Sequence, residues 1–186
     1  MADTVGISTP EDVLSFWFDE LQPQDWFKPH PDLDSQCEQR FRLAHLQLAR
    51  GVPPEWRATP IARLATIVLF DQMPRNMYRG TPLAFATDGL ALREAALALE
   101  AGADVGLSVD QRVFLYLPFE HSENLADQTR SVALFTDLGD ANYLDYAIRH
   151  REVIYQFGRF PHRNAILGRV STPAEMTFLS QPGSSF

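Results

Sequence analysis

Four Thr-Pro pairs, Thr9-Pro10, Thr59-Pro60, Thr81-Pro82 and Thr172-Pro173, set the terms on which this chain can fold. In each, a hydroxyl able to accept a hydrogen bond from the next turn precedes a proline. The missing N–H and fixed φ of proline suit the first helical position. Ser108 with Gln111, and Thr172 with Glu175, add the spacing of capping boxes. These starts predict helices near residues 10–20, 32–50, 60–71, 82–101, 109–117, 122–137, 141–156 and 173–180. Apolar periodicity agrees: Val13, Phe16 and Trp17 recur at helical spacing, as do Phe41, His45 and Leu48, while Leu64, Ile67, Val68 and Asp71 line one face. Residues 90–101 are nearly all strong helix formers and stop at Gly102. Phe114 to Phe119 has the apolar content of a strand, but the Ser108 cap before it and Pro118 near its end point to a helix ending there. No stretch alternates with a strand period long enough to build a sheet. The expected fold is all-α, one domain over residues 1–180 with a flexible tail at 181–186.

Length and charge narrow the function classes. A chain of 186 residues with 45% hydrophobic content is long enough for one well-buried core. A net charge of -8 argues against a nucleic-acid partner, because binding phosphates needs a net basic face. Lys28 is the only lysine; every other cation is an arginine, whose planar fork suits paired or buried positions. Cys37 stands alone, so no internal disulfide and no cysteine cluster for a metal is expected, and it reads as a small core residue. The opening residues lack the basic patch and apolar run of a signal peptide, and no apolar stretch approaches transmembrane length. The expectation is a soluble cytoplasmic protein with no membrane partner. In the gap at 21–31, Trp26 and Phe27 are expected to pin a Pro- and Asp-rich loop onto the body.

Three polar blocks carry what chemistry the sequence offers. The first, Asp71 to Gly80, holds Arg75, Asn76 and Arg79 around Pro74, which disfavours a helical Met73; the two arginines sit four apart and are able to share a face. The second places Glu120, His121 and Glu123 directly after an apolar run, with Gln128 following. The third interleaves Arg159, His162, Arg163 and Asn164 with Phe157 and Phe160, and ends at Arg169. These blocks, with the Val13-Leu-x-Phe-Trp-Phe18 opening and the Thr172-Pro-x-Glu175 ending, resemble the signature blocks of a largely bacterial family, domain-of-unknown-function family 924. The resemblance spans nearly the whole chain. It implies an all-helical, tetratricopeptide-like superhelix and brings no established reaction.

Each block admits two readings. Asp71, Arg75, Asn76 and Arg79 form either an anion clamp or a set of arginines tying helix ends to acids. Glu120, His121 and His162 are the candidate acid–base residues, with Glu123, Gln128, Arg159, Arg163 and Asn164 as ligand-binding groups; the alternative is acids and arginines satisfying one another at the core edge. On a helix Glu120 and Glu123 lie on one face and His121 points away, so the acids and the imidazole are expected to diverge and to form one wall of a site rather than the chemistry by themselves. His150 follows Ala147 and precedes Ile154 and Phe157 at helical spacing, which turns it towards the third block. His45 reads as a satisfied core histidine, and His30 as solvent-facing. No His-Glu-x-x-His pattern, Gly-rich phosphate loop or Gly-x-Ser-x-Gly elbow occurs, so the sequence points to no metal and no cofactor. Three functions remain open: a pocket for an anionic small molecule, catalytic or not; a tetratricopeptide-like module gripping a peptide carboxylate; or a salt-bridge network that only fixes packing.

Overall fold

The computed structural model describes residues 8–28 and 30–184. The opening residues read for a signal, and Ser185 and Phe186 of the expected tail, lie outside them. Every regular element among the described residues is helical: α1 (Pro10–Leu14), α2 (Pro31–Leu48), α3 (Pro60–Asp71), α4 (Met73–Met77), α5 (Asp88–Glu100), α6 (Val109–Glu120), α7 (Leu125–Leu138), α8 (Ala141–Phe157) and α9 (Pro173–Leu179). The chain gathers into two compact units, one of residues up to Arg79 with Leu83–Pro118, the other of Gly80–Pro82 with Phe119 onwards.

In the first unit α3 is the central rod. Leu64 to Asp71 are buried without a break, so the helix is apolar all round and packs against α1, α2, α4, α5 and the turn at Pro54–Arg57. Thr59 caps it as the Thr-Pro pair predicts, accepting from the Ala62 N–H at 3.1 Å. The buried Thr66 hydroxyl donates to the carbonyls of Trp56 and Ala62, so no hydroxyl is stranded in the core. Phe114 is a hub for aromatic rings. Trp17, Phe18 and Trp26 meet it edge-on at 5.7, 5.5 and 5.0 Å, and Phe27 stacks on it at 5.9 Å. The Trp26 indole also donates to the Trp17 carbonyl at 2.9 Å, so both aromatics pin the 21–31 loop as expected. Cys37 and His45 are buried; His45 meets Thr87 Oγ1 at 3.1 Å through Nε2. His30 is exposed and caps α2, its Nδ1 accepting from the Leu33 N–H at 3.3 Å.

The second unit is built on the α7–α8 pair. Gly139 ends α7 at φ 82°, a conformation open to glycine, and Asp140 at once caps α8 by accepting from the N–H groups of Asn142 and Tyr143. Val153, Ile154 and Phe160 form a small core, with Phe157 and Phe178 packed against it. Near the chain end, Arg149 donates to the Gly183 carbonyl and the Ser184 hydroxyl to the Leu179 carbonyl.

Four boundaries depart from expectation, each for a local reason. The 10–20 helix widens after Leu14 into a π-helical turn over Ser15–Glu20, and Phe16 and Trp17 are both fully buried there. The 82–101 run is split: Pro82–Phe85 is a 3-10 turn, and Thr87 at φ -107° spends its hydroxyl on the Phe70 carbonyl instead of capping α5. The expected gap at 72–80 contains α4, because Pro74 occupies its second position, where a helix needs no N–H donor. Finally, α6 runs through Pro118 to Glu120, and α7 starts only at Leu125 behind the Asn124 cap.

Candidate functional site

The end of α6 decides where the second polar block points. Gln128 of α7 donates from Nε2 to the carbonyls of Glu120 at 2.5 Å and Ser122 at 2.7 Å, and lies 3.5 Å from that of Phe119. A neighbouring helix thereby supplies the partner that terminal carbonyls lack, and the chain leaves the helix at His121. The helical spacing used to set His121 apart from Glu120 and Glu123 therefore does not apply: α6 ends at Glu120, and His121 and Glu123 lie beyond it. Gln128→Glu sets a carboxylate oxygen against these carbonyls and is expected to cost about 2 kcal/mol in urea unfolding, while Gln128→Asn, too short to reach, costs less.

What the turn brings together is a cluster around Phe160. Glu120 and His150 are both buried, with Glu120 Oε1 3.3 Å from His150 Nδ1. The same Nδ1 faces the Tyr146 carbonyl at 2.8 Å, so both neighbours accept and the neutral ring carries its hydrogen on Nδ1, leaving Nε2 as the lone pair. The His121 ring is centred 6.4 Å from that of His150. His150 and His162 lie 5.5 and 5.6 Å from the Phe160 ring, and the buried Arg163 guanidinium sits 4.5 Å over it. Burial pushes the His150 imidazole down to about 3, and positive charge from His121, Arg163 and His162 presses in the same direction. Glu120, three imidazoles and the Arg163 guanidinium thus occupy a single neighbourhood, with Glu123 and Arg169 bonded to the Phe160 backbone beside them.

The other charged residues of the third block are engaged within the fold. Arg169 grips Glu123 with both ends of its fork, at 2.7 and 2.9 Å, and donates to Asn164 Oδ1 and the Phe160 carbonyl. Glu123 also accepts from the Phe160 N–H at 2.8 Å. Burial raises its pKa, but these donors outweigh it and hold the carboxyl below its ordinary range. Asn164 donates to Ser171. Arg159 forks onto Glu175 at 2.6 and 2.8 Å, which holds that carboxyl at about 2.

The first block lies in the other unit, and its forks meet the chain's own acids. Arg75 binds Asp88 at 2.9 and 3.1 Å and also reaches the Asp71 carbonyl. Asp71 is fully buried and accepts from Gln72 Nε2 at 2.6 Å. Arg79 forks onto Asp34 at 2.6 and 2.8 Å, and Asn76 donates to the same carboxylate at 2.9 Å. The expected common face for Arg75 and Arg79 does not form, because α4 stops at Met77 and Arg79 lies beyond it. Among the described residues no three His, Cys, Asp or Glu side chains stand together as a metal-ligand set.

The family model described as "Bacterial protein of unknown function (DUF924)" matches residues 13–183. The chain belongs to this family. A solved structure is similar over most of its length: that of a protein of unknown function, ATU0120, from Agrobacterium tumefaciens is 42% identical, with a TM-score of 0.87 over 92% of this chain and 96% of that one. No curated protein matches the chain. Membership in DUF924 therefore fixes the fold and brings no reaction with it. No helix among the described residues is long and apolar enough to cross a membrane.

Of the residues that sequence reasoning named, Glu120, His121, His162 and Arg163 come together. His150 completes them, and the signal for it was its spacing with Ala147, Ile154 and Phe157. The Glu175 capping box is where its spacing with Thr172 puts it, but the pairings Arg159–Glu175 and Arg169–Glu123 follow from no local pattern.

Proposed function

We propose that the cluster around Phe160 binds an anionic small molecule, with Arg163 as the fixed cation and His121 and His162 as groups able to give or take a proton. One observation carries this reading: His121 lies 6.4 Å from His150, and His150, His162 and the Arg163 guanidinium stand 5.5, 5.6 and 4.5 Å from the Phe160 ring, in a chain of net charge -8. Glu120 and Glu123 answer part of this positive charge from the buried side, and an anion on the exposed side would meet Arg163 with whichever of the His121 and His162 rings is protonated. His121 and His162 are partly exposed while Glu120, His150 and Arg163 are buried, so two titrating rings meet solvent above a fixed floor. Glu120 would act through His150, holding its tautomer, and is a positioning residue in this scheme. Asp71, Arg75, Asn76 and Arg79 are left out because they belong to the other unit, and Arg159 and Asn164 because their side chains bond Glu175, Ser171 and Arg169.

The test is a titration with inorganic phosphate and with citrate, followed by the histidine ring resonances. His121 and His162 are expected to shift with an anion-dependent rise in pKa, and His162→Gln to weaken binding roughly tenfold, about 1.4 kcal/mol. Ring resonances that ignore both anions would sink the proposal. So would an unchanged affinity in both His121→Gln and His162→Gln.

A further inference from the structure

A separate cleft in the first unit has the composition of a second anion site. It is lined by Gly51, Val52, Arg57, Arg63, Arg93 and Leu97, and is an open depression of about 560 Å3 rather than a closed cavity. Three guanidiniums from three segments meet there: Arg57 from the Pro54–Arg57 turn, Arg63 from α3 and Arg93 from α5. The acid among them is Glu94, buried at 2% exposure, and it is already shared. Arg57 forks onto it at 2.6 and 2.7 Å, and Arg93 reaches it at 3.1 and 3.3 Å. Burial raises the Glu94 pKa, yet Arg57 and Arg93 hold the carboxyl below its ordinary range, so it counts as one full negative charge. Three cations against one anion leave the wall positive in a chain of net charge -8.

Arg63 sharpens the inference. It stands in the first turn of α3, where the helix dipole opposes a cation. It has no ion-pair partner among the described residues. A guanidinium placed against the dipole, beside two others, gains from an anion in front of it, and the N-terminal dipole of α3 adds to the same attraction. Val52 and Leu97 give the cleft an apolar side, with Leu97 one turn beyond Arg93 on α5.

We propose that this cleft binds a small molecule with at least two anionic groups, carboxylate or phosphate, on a short carbon skeleton. The charged ends sit between Arg63 and the outer edge of Arg93, with Arg57, which donates to Glu94 and to the Val52 carbonyl, adding its charge from behind, and the skeleton lies against Val52 and Leu97. Two substitutions test this without cutting an ion pair of the fold. Arg63→Ala removes the cation that pairs with no acid. Gly51→Glu sets a carboxylate at a position where an added Cβ meets nothing within 4 Å.

The experiment titrates the whole chain with citrate and, separately, with inorganic phosphate, reading the backbone amide resonances of Gly51, Val52 and Leu97. Saturable shifts at these amides are expected with citrate, and with phosphate if the site takes phosphoryl groups. Arg63→Ala and Gly51→Glu should each weaken citrate binding read at these amides roughly tenfold or more, and should leave any anion-dependent shift of the His121 and His162 rings unchanged. That last arm keeps this site distinct from the cluster around Phe160. Absence of shifts at all three amides with either anion overturns the proposal. Unchanged citrate affinity in both variants overturns it as well.

Discussion

Acidification from pH 7.5 to 5 is expected to remove about 2 kcal/mol of unfolding free energy at each of two histidines, His45 and His150. Both are buried, and burial drives their pKa values from 6.5 down to about 4 and about 3. The unfolded chain takes up a proton at each ring near pH 6.5 while the folded chain declines it. Stability is therefore fully present above that pH and is lost as pH falls towards 4 for His45 and 3 for His150. Urea unfolding followed by circular dichroism at several pH values measures the slope. His45→Gln and His150→Gln, which keep a hydrogen-bonding group but cannot titrate, should each flatten it. A wild-type profile that is level between pH 7 and 5 would refute this account. Below about pH 4.5 a second decline is expected as Glu94, Glu123 and Asp34 lose their arginine partners, since each carboxyl sits below its ordinary range in the fold.

Glu123→Ala should be the most damaging single substitution among the arginine partners of the second unit, at about 3 kcal/mol. The carboxylate receives both arms of Arg169 and the Phe160 N–H, so its removal strands a half-buried guanidinium and a backbone donor together. Glu123→Gln keeps an acceptor for Phe160 but loses the charge, and should cost about half as much. Arg169→Ala in the Glu123→Ala background should add little, giving a coupling above about 1 kcal/mol in the double-mutant cycle. Thermal or urea midpoints of the four proteins decide it. A Glu123→Ala loss under about 1 kcal/mol would mean that Arg169 holds the loop without it.

The fold was legible wherever the determinant was local. Thr9, Thr59 and Thr172 cap their helices within three residues, and each cap is where the Thr-Pro spacing puts it. Thr81-Pro82 looks the same in sequence and yields only a short turn, because Thr87 is drawn to the carbonyl of Phe70, 17 residues away. The arginines show the same division. Their identity marks them as important, yet Arg79 closes on Asp34 across 45 residues, a pairing that no spacing rule reaches. In the candidate site, residue type was enough to pick out Glu120, His121, His162 and Arg163. Their common orientation depends on where α6 stops, and Gln128 stops it from another helix.

That stop couples two helices. A helix closed by its own cap depends on its local turn alone. The last turn of α6 is finished by an amide eight residues further on, which belongs to α7. The end of α6 and the first turn of α7 are therefore one unit: a substitution at Gln128 is expected to loosen Glu120 without changing any residue of α6 itself.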